Sequence, residues 1–455
     1  MTSVPATDTT ITAEARSLEA IVAGDASSLG TAPEVIARLR TAALERAREL
    51  GLPAHSDEEW RYTNPAPFYE PAYTLPTTGT DTPRELPGPD GLPVEAAAYL
   101  VFVDGVYSPE HSDIGSLPAG IEIAELGVGV EQHAEAVDRL VSRAVTAARD
   151  GLEALAAGLL TSGVIIRASR GAVLELPIVL RYVTTGHAAP LLSAPHVVIE
   201  AAETAQIRVI EDHAGAESAS GMHLGTTSID AGAAAHVSHA FVTRDAEAWN
   251  SFAALRIRQD RDSQVTSHRV LLGSGLLRNS VCATLEGEGG DTVLNGLFLP
   301  ESRQHQDNFM HVEHMAPHCT SRQHYRGIGA DRGRGVFTGR IYVHSEAQKT
   351  DAVQANDNLL LSKRAQITTK PQLEIYADDV KCTHGATTGQ IDEDAMFYLR
   401  ARGVPRQKAK LLLLHAFAGE EINRIEDAGL REAVRSIIDA RLDEALARAD
   451  GSPAG

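Results

Sequence analysis

The feature that most restricts the fold is a succession of short apolar or alternating segments from Gly163 to Tyr376. Among them are "GVIIRA", "PHVVIEA", "AQIRVIED", "AHVSHAFVT", "HRVLLGS", "TVLNGLFLP", "RGVFTGRIYV" and "PQLEIYA". Their centres lie roughly a dozen residues apart, with Gly, Asp, Asn and Ser between them, which is the pattern of an all-β region. A sandwich, a barrel and a solenoid share that texture. The persistence of the pattern over roughly 200 residues, without a helical interruption, favours the solenoid, in which each coil buries its apolar face on its neighbours. The expected core is a parallel β-helix, although the repeat is too irregular to assign a rung length.

The flanks read as helical. "APEVIARLRTAALERARELG" places Val35, Ile36, Leu39, Ala43 and Leu44 on one side of a helix that Gly51 ends. The Pro-rich, aromatic "DEEWRYTNPAPFYEPAYTLP" predicts an extended arm anchored by Trp60 and Tyr62, and Pro76–Pro93 a surface loop. A strand is expected at "AYLVFVDG" and a single helix across "EQHAEAVDRLVSRAVTAARDGLEALAAGLL". Beyond the core, Asp392 is placed to N-cap a helix that Gly403 closes, and Pro405 to open the next. A third helix runs from about Ala428 to Ala449. The chain is thus expected to be mainly β with helical ends. Residues 1–150 form an N-terminal helical region with arm and loop, 151–390 the β-helix core and 391–455 a C-terminal helical domain.

Charge and motifs narrow the function. Lys and Arg number 41 against 61 Asp and Glu, a net charge of −20, so the surface repels polyanions and nucleic acid is not an expected partner. Cys282, Cys319 and Cys382 are odd in number and far apart, the pattern of reduced cytoplasmic thiols. The opening residues lack a basic segment followed by an apolar one, which predicts no secretory signal, and no apolar run is long enough to span a membrane. There is no phosphate-binding G-x-x-x-x-G-K-[ST], so no nucleotide is expected on this chain. G-x-S-x-G, H-E-x-x-H and C-x-x-C are absent as well.

Two clusters carry candidate chemistry. "HQDNFMHVEHMAPHCTSRQH" holds His305, His311, His314, His318, His324 and Cys319, all of metal-ligating type. On extended chain His311 and His314 face opposite sides, so dispersal over strands and turns is the preferred reading. In "DDVKCTHGATTGQID", Cys382 and His384 are two apart and share a face if the segment is a strand. They suit a nucleophile with its base, half of a metal site completed by another chain, or simple packing.

The block "NDNLLLSKRAQITTKPQLEIYADDVKCTHGATTGQIDEDAMFYLRARGV" (residues 356–404), with "RGVFTGRIYVHSEAQKTDA", "PHCTSRQHYRGI" and "EEWRYTN", closely resembles the SufB/SufD family of the SUF iron–sulfur cluster assembly scaffold. The resemblance runs from about Glu58 onward. It lies on the SufD side of the family: "CTHGATTG" stands where SufB-like chains tend to have Glu-His-Glu-Ala, and "LLLSKRAQITTKPQLEIY" lacks their upstream cysteine. The resemblance implies a right-handed parallel β-helix in a non-catalytic scaffold. It implies a SufB-like partner docked through the β-helix, or a homodimer when the chain is isolated, and a SufC-like ABC ATPase on the C-terminal helices. It also implies a transient iron–sulfur cluster at the subunit interface, with His384 as metal ligand and Cys382 beside it. Leu411, Leu412, Leu414 and Phe417 then become the candidate ATPase-binding surface. Nothing in the residues speaks for or against a flavin in the assembled complex. The rival readings are a metal-dependent β-helix enzyme using the His305–His324 cluster, and a purely structural subunit without cluster ligands.

Overall fold

The computed structural model describes residues 15–76, 85–86, 88–126, 130–186 and 189–449 of the 455. Much of the loop expected across Pro76–Pro93 lies outside the described residues. Two sheets of ten strands face each other and run almost entirely parallel, the chain passing from one to the other and back in a β-solenoid of about eight turns. The first sheet ends in Asp291–Phe298, Thr320–Gly329, Asp351–Leu360 and Lys381–Gly389. The second ends in Leu276–Leu285, His305–His314, Arg334–Val343 and Gln366–Ile375.

The rung length missing from the sequence pattern is plain in the backbone. Strands of the first sheet begin at His236, Gln264, Asp291, Thr320, Asp351 and Lys381, spacings of 27–31 residues. The same spacings separate Thr204, Ala234, Asp262, Gly289, His318 and Lys349, each at a rung corner with φ between +54° and +75°. At each corner the backbone N–H donates to a carbonyl in the next rung, as Thr204 does to Ala233 and His318 to Gln348. That ladder offsets the left-handed strain of about 1–2 kcal/mol that a non-glycine residue incurs there.

Alternation along the strands separates two environments. Inward residues such as Ile207, Val237, Val265, Val281, Val312 and Phe337 form the apolar filling. The outward faces are buried too, so many strands read as continuous apolar runs rather than alternating ones. Ile210, Val242, Val270, Leu297 and Ile328 pack under the C-terminal helices Arg406–Ile422 and Ala428–Ala449. On the other sheet, Met222, Leu224 and Phe252 pack under the N-terminal arm and helices.

Several local expectations are corrected. The helix expected across residues 131–160 is two, Ala134–Thr146 and Gly151–Gly158, because the Asp150 side chain caps a new start by accepting from the Glu153 N–H. The strand expected at "AYLVFVDG" does form, as Ala98–Val103, and the unanticipated strand is Ile121–Glu125; they join the two sheets ahead of residue 151. In the arm, Trp60 is buried, stacks on Phe252, lies under the Arg278 guanidinium and donates to Asp150 at 2.8 Å. Tyr62 is exposed and anchors nothing in the core; Thr63 does so instead, donating to Asp307 at 2.5 Å.

Gly296 faces inward under the Tyr325 ring, and a Cβ there would lie 2.0 Å from the ring edge. Gly296 and Tyr325 are register partners in paired strands, so the clash has little room to relax. Gly296→Val is expected to destabilise the fold by about 1–3 kcal/mol, read as a lower urea midpoint at unchanged slope; an unchanged midpoint would show that the rung yields.

Candidate functional site

The final strand, Lys381–Gly389, pairs in parallel with Asp351–Leu360 and, among the described residues, has no strand on its other side. Gln366–Ile375 is the corresponding edge of the second sheet. Together they form an uncapped rung. Cys382 pairs with Ala352 and packs with Ile341, Val343 and Ala377, which sets its side chain on the inner face. By alternation His384, opposite the buried Gln354, shares that face. It is nevertheless exposed, because no rung follows to cover it. Gly385 and Gly389 also look onto open space.

A thiol and an imidazole therefore stand on one inner face at an open end, two residues and about 6.6 Å along the strand. Burial pushes the Cys382 thiol above its ordinary pKa, so the chain alone does not supply a ready thiolate. Among the described residues no further His, Cys, Asp or Glu joins the pair in a group of three. Two such groups are half the number of ligands that an iron–sulfur cluster takes.

The rungs beneath are polar. Inward positions in register with His384 run Gln354, Gln323, Leu294, Ser267 and His239. Beside them, Asn358 donates to Asn356 at 2.8 Å and to Thr388 at 3.3 Å, and Thr369 donates to Asn356 at 2.7 Å. Deeper in, His239 lies 2.8 Å from Glu211, whose carboxyl is held well below the usual range by His213 and His239 despite its burial. Polar residues inside an otherwise apolar solenoid escape periodicity analysis, because alternation reports burial and not what the buried side chain is.

The histidine-rich segment disperses. His314 is buried inside the solenoid, with Nε2 2.9 Å from the Ser321 hydroxyl. His311 alternates to the outer face of the same strand, His318 occupies an exposed corner, and His324 lies on the outer face of the other sheet. Among the described residues no group of three or more His, Cys, Asp or Glu is placed to hold a metal ion. The shared His305–His324 site that a metal-dependent enzyme would need is therefore not assembled.

The C-terminal helices divide their apolar residues unevenly. Leu414 is fully buried, and Leu411 and Phe417 pack against the same layer, Phe417 beneath the Arg326 guanidinium. These three dock the helix Arg406–Ile422 on the sheet, leaving Leu412 as the exposed member of the expected partner surface, at 44%. Phe397 at 74% and Tyr398 at 57%, on the preceding helix Glu393–Ala401, extend that exposure and were missed in the sequence. The available signal was "MFY": three adjacent apolar residues cannot all face inward from one short helix. Only Met396 of the helix is buried.

Glu421, near the end of Arg406–Ile422, is buried beside Arg424, with its Oε1 unpartnered. Burial pushes its carboxyl up to about 8. His268, which lines the same small cavity, is pushed down to about 4 by burial, so a neutral imidazole and a raised carboxyl meet here beside the charged Arg424.

Comparison with known proteins follows the same lines. A family model described as the SufBD core domain of SUF system FeS cluster assembly matches residues 182–417, and one for the SufBD protein N-terminal region matches residues 26–180. The iron–sulfur cluster assembly protein SufD of Escherichia coli is 34% identical over 402 residues, 88% of this chain and 91% of that protein. SufD of Bacillus subtilis is 23% identical, covering 90% of this chain and 94% of its own length. A SufBD family protein of Synechocystis is 29% identical over 90% and 92% of the two chains.

Because its carboxyl titrates near 8 when folded and near 4.5 otherwise, Glu421 gives the folded state an extra proton between those values. Its contribution to stability falls as pH rises through that window. Glu421→Gln is expected to gain on the wild type in chemical denaturation from pH 5 to 8 and to hold a constant difference above; a pH-independent difference would mean that the carboxyl titrates normally.

Proposed function

The chain belongs to the SufBD family of SUF-system iron–sulfur cluster assembly proteins, and from that premise we propose that it is a non-catalytic scaffold subunit on which nascent clusters are built and passed on. The cluster is cargo, held transiently where this chain meets a SufB-like subunit. The observation that carries this reading is the uncapped rung: an unpaired strand edge, with His384 and Cys382 on its inner face.

An exposed edge is a template for another strand. Gln366–Ile375 contains Pro371, which has no N–H to offer, whereas Lys381–Gly389 has no proline. Ile375 and Tyr376, exposed beside it, add apolar surface of the kind that partner contacts cover. In this reading His384 ligates iron through a neutral imidazole and Cys382 is a neighbouring thiol. A SufB-like chain completes the ligand set.

A SufC-like ABC ATPase is assigned to the C-terminal helices, on the surface formed by Phe397, Tyr398 and Leu412. Its docking there would reach the open rung directly, since Glu393–Ala401 follows the final strand after three residues. No helix of the described residues is long and apolar enough to cross a membrane, and we place the complex in the cytoplasm.

The test uses the chain co-expressed with SufB-like and SufC-like partners, with iron and acid-labile sulfide measured per complex after size exclusion. His384→Ala should lose at least about tenfold in cluster content, beyond the cost of removing a supporting residue, with the complex intact. Cys382→Ala should lose less. Full cluster content in the His384 variant would make this a purely structural subunit.

A further inference from the structure

His384 has a specific residue behind it. Gln354 is its register partner in the neighbouring strand, and side chains on one face of adjacent parallel strands stand about 4.8 Å apart. Gln354 is 1% exposed. Its Nε2 donates across the solenoid interior to the Gly339 carbonyl, at 3.4 Å. Gly339 also provides the space: a Cβ there would lie 2.1 Å from that nitrogen. Because a carbonyl only accepts, this contact identifies the nitrogen end of the amide and leaves Oε1 as the other.

That Oε1 is shielded from water and, among the described residues, has no hydrogen-bond partner. No bond joins it to Gln323, the next residue inward, whose amide is likewise unpartnered. A buried acceptor with no donor is costly and native structures seldom keep one. In register with it on the side of the open end stands the imidazole of His384, a group able to supply a proton.

We propose that Gln354 is the positioning residue for His384. Its Oε1 accepts the proton carried on Nδ1, which leaves Nε2, the ring nitrogen farther from the backbone, with a free lone pair facing the open end. Metal-binding histidines are regularly held this way, their second nitrogen bonded to an acceptor that selects tautomer and ring orientation. The inference rests on the reading of His384 as a ligand, and it adds why this imidazole can present the correct nitrogen before any iron arrives. Gln354 touches neither iron nor sulfide.

The test reads the tautomer directly. The full chain, labelled with 15N in its imidazole rings, is examined by long-range nitrogen–proton correlation at a pH that keeps the ring neutral, and the His384 signals are identified by their loss in His384→Ala. The wild type should be mainly Nδ1–H. Gln354→Leu should lower the ratio of Nδ1–H to Nε2–H by about fivefold, the worth of one ordinary buried hydrogen bond. Gln354→Glu, which keeps an acceptor oxygen, should restore it. A wild-type His384 that is mainly Nε2–H overturns the proposal without any variant, as does a ratio that Gln354→Leu leaves unchanged. Those results stand apart from the cluster measurement: a Gln354-dependent tautomer with full cluster in His384→Ala would keep the hydrogen bond and remove the ligand role.

Discussion

Everything here depends on rungs stacking in register. Each coil of about thirty residues hydrogen-bonds to the next along both sheets and seats its inward side chains on those of the coil below. Such a stack is stable only where it is continued, so a solenoid always has ends to protect. Helices cover the broad outer faces of both sheets. Among the described residues they do not cover the last rung. A repeat protein that needed only to be stable would place a polar cap there; this chain leaves an unpaired strand carrying a thiol and an imidazole.

The same stacking explains why the site can be preorganised. A side chain on an isolated edge strand would be free to rotate, but His384 has a filled, immobile rung on one side of it. Gln354, Asn356 and Asn358 are fixed by the interior they fill, and Asn358 reaches forward to the final strand itself. The polar filling near the open end thus does what the apolar filling cannot, holding the final strand through directional hydrogen bonds. The Glu421 seam is a second polar junction, between the docking helix and the sheet, where a raised carboxyl and a neutral imidazole meet beside the Arg424 guanidinium.

Much of this was legible in the sequence. Short apolar runs at close spacing identified the solenoid, caps at Asp392 and Gly51 marked helix ends, and the parity of His311 and His314 anticipated their separation. The rung period was not legible, for a physical reason. Its corners use Thr204, Ala234, Asp262, Gly289, His318 and Lys349, which share a backbone conformation but no side-chain chemistry. The break at Asp150 was hidden because apolar spacing continues across it while a local cap restarts the helix. The exposure of Leu412 against the burial of Leu414 was equally unreadable, since a helix apolar on all sides does not declare which side docks. Gln354 could not be found at all: its meaning lies in the register with His384, thirty residues away.

The central claim is that the uncapped rung is where a SufB-like partner adds. Hydrogen–deuterium exchange tests it most directly, comparing the free chain with its complex. The backbone amides of Lys381–Gly389 that point away from Asp351–Leu360 should exchange fast in the free chain and become strongly protected in the complex, while the buried strands of the middle rungs stay unchanged. Protection confined to the first rungs or to the helices, with Lys381–Gly389 still exchanging freely, would contradict it.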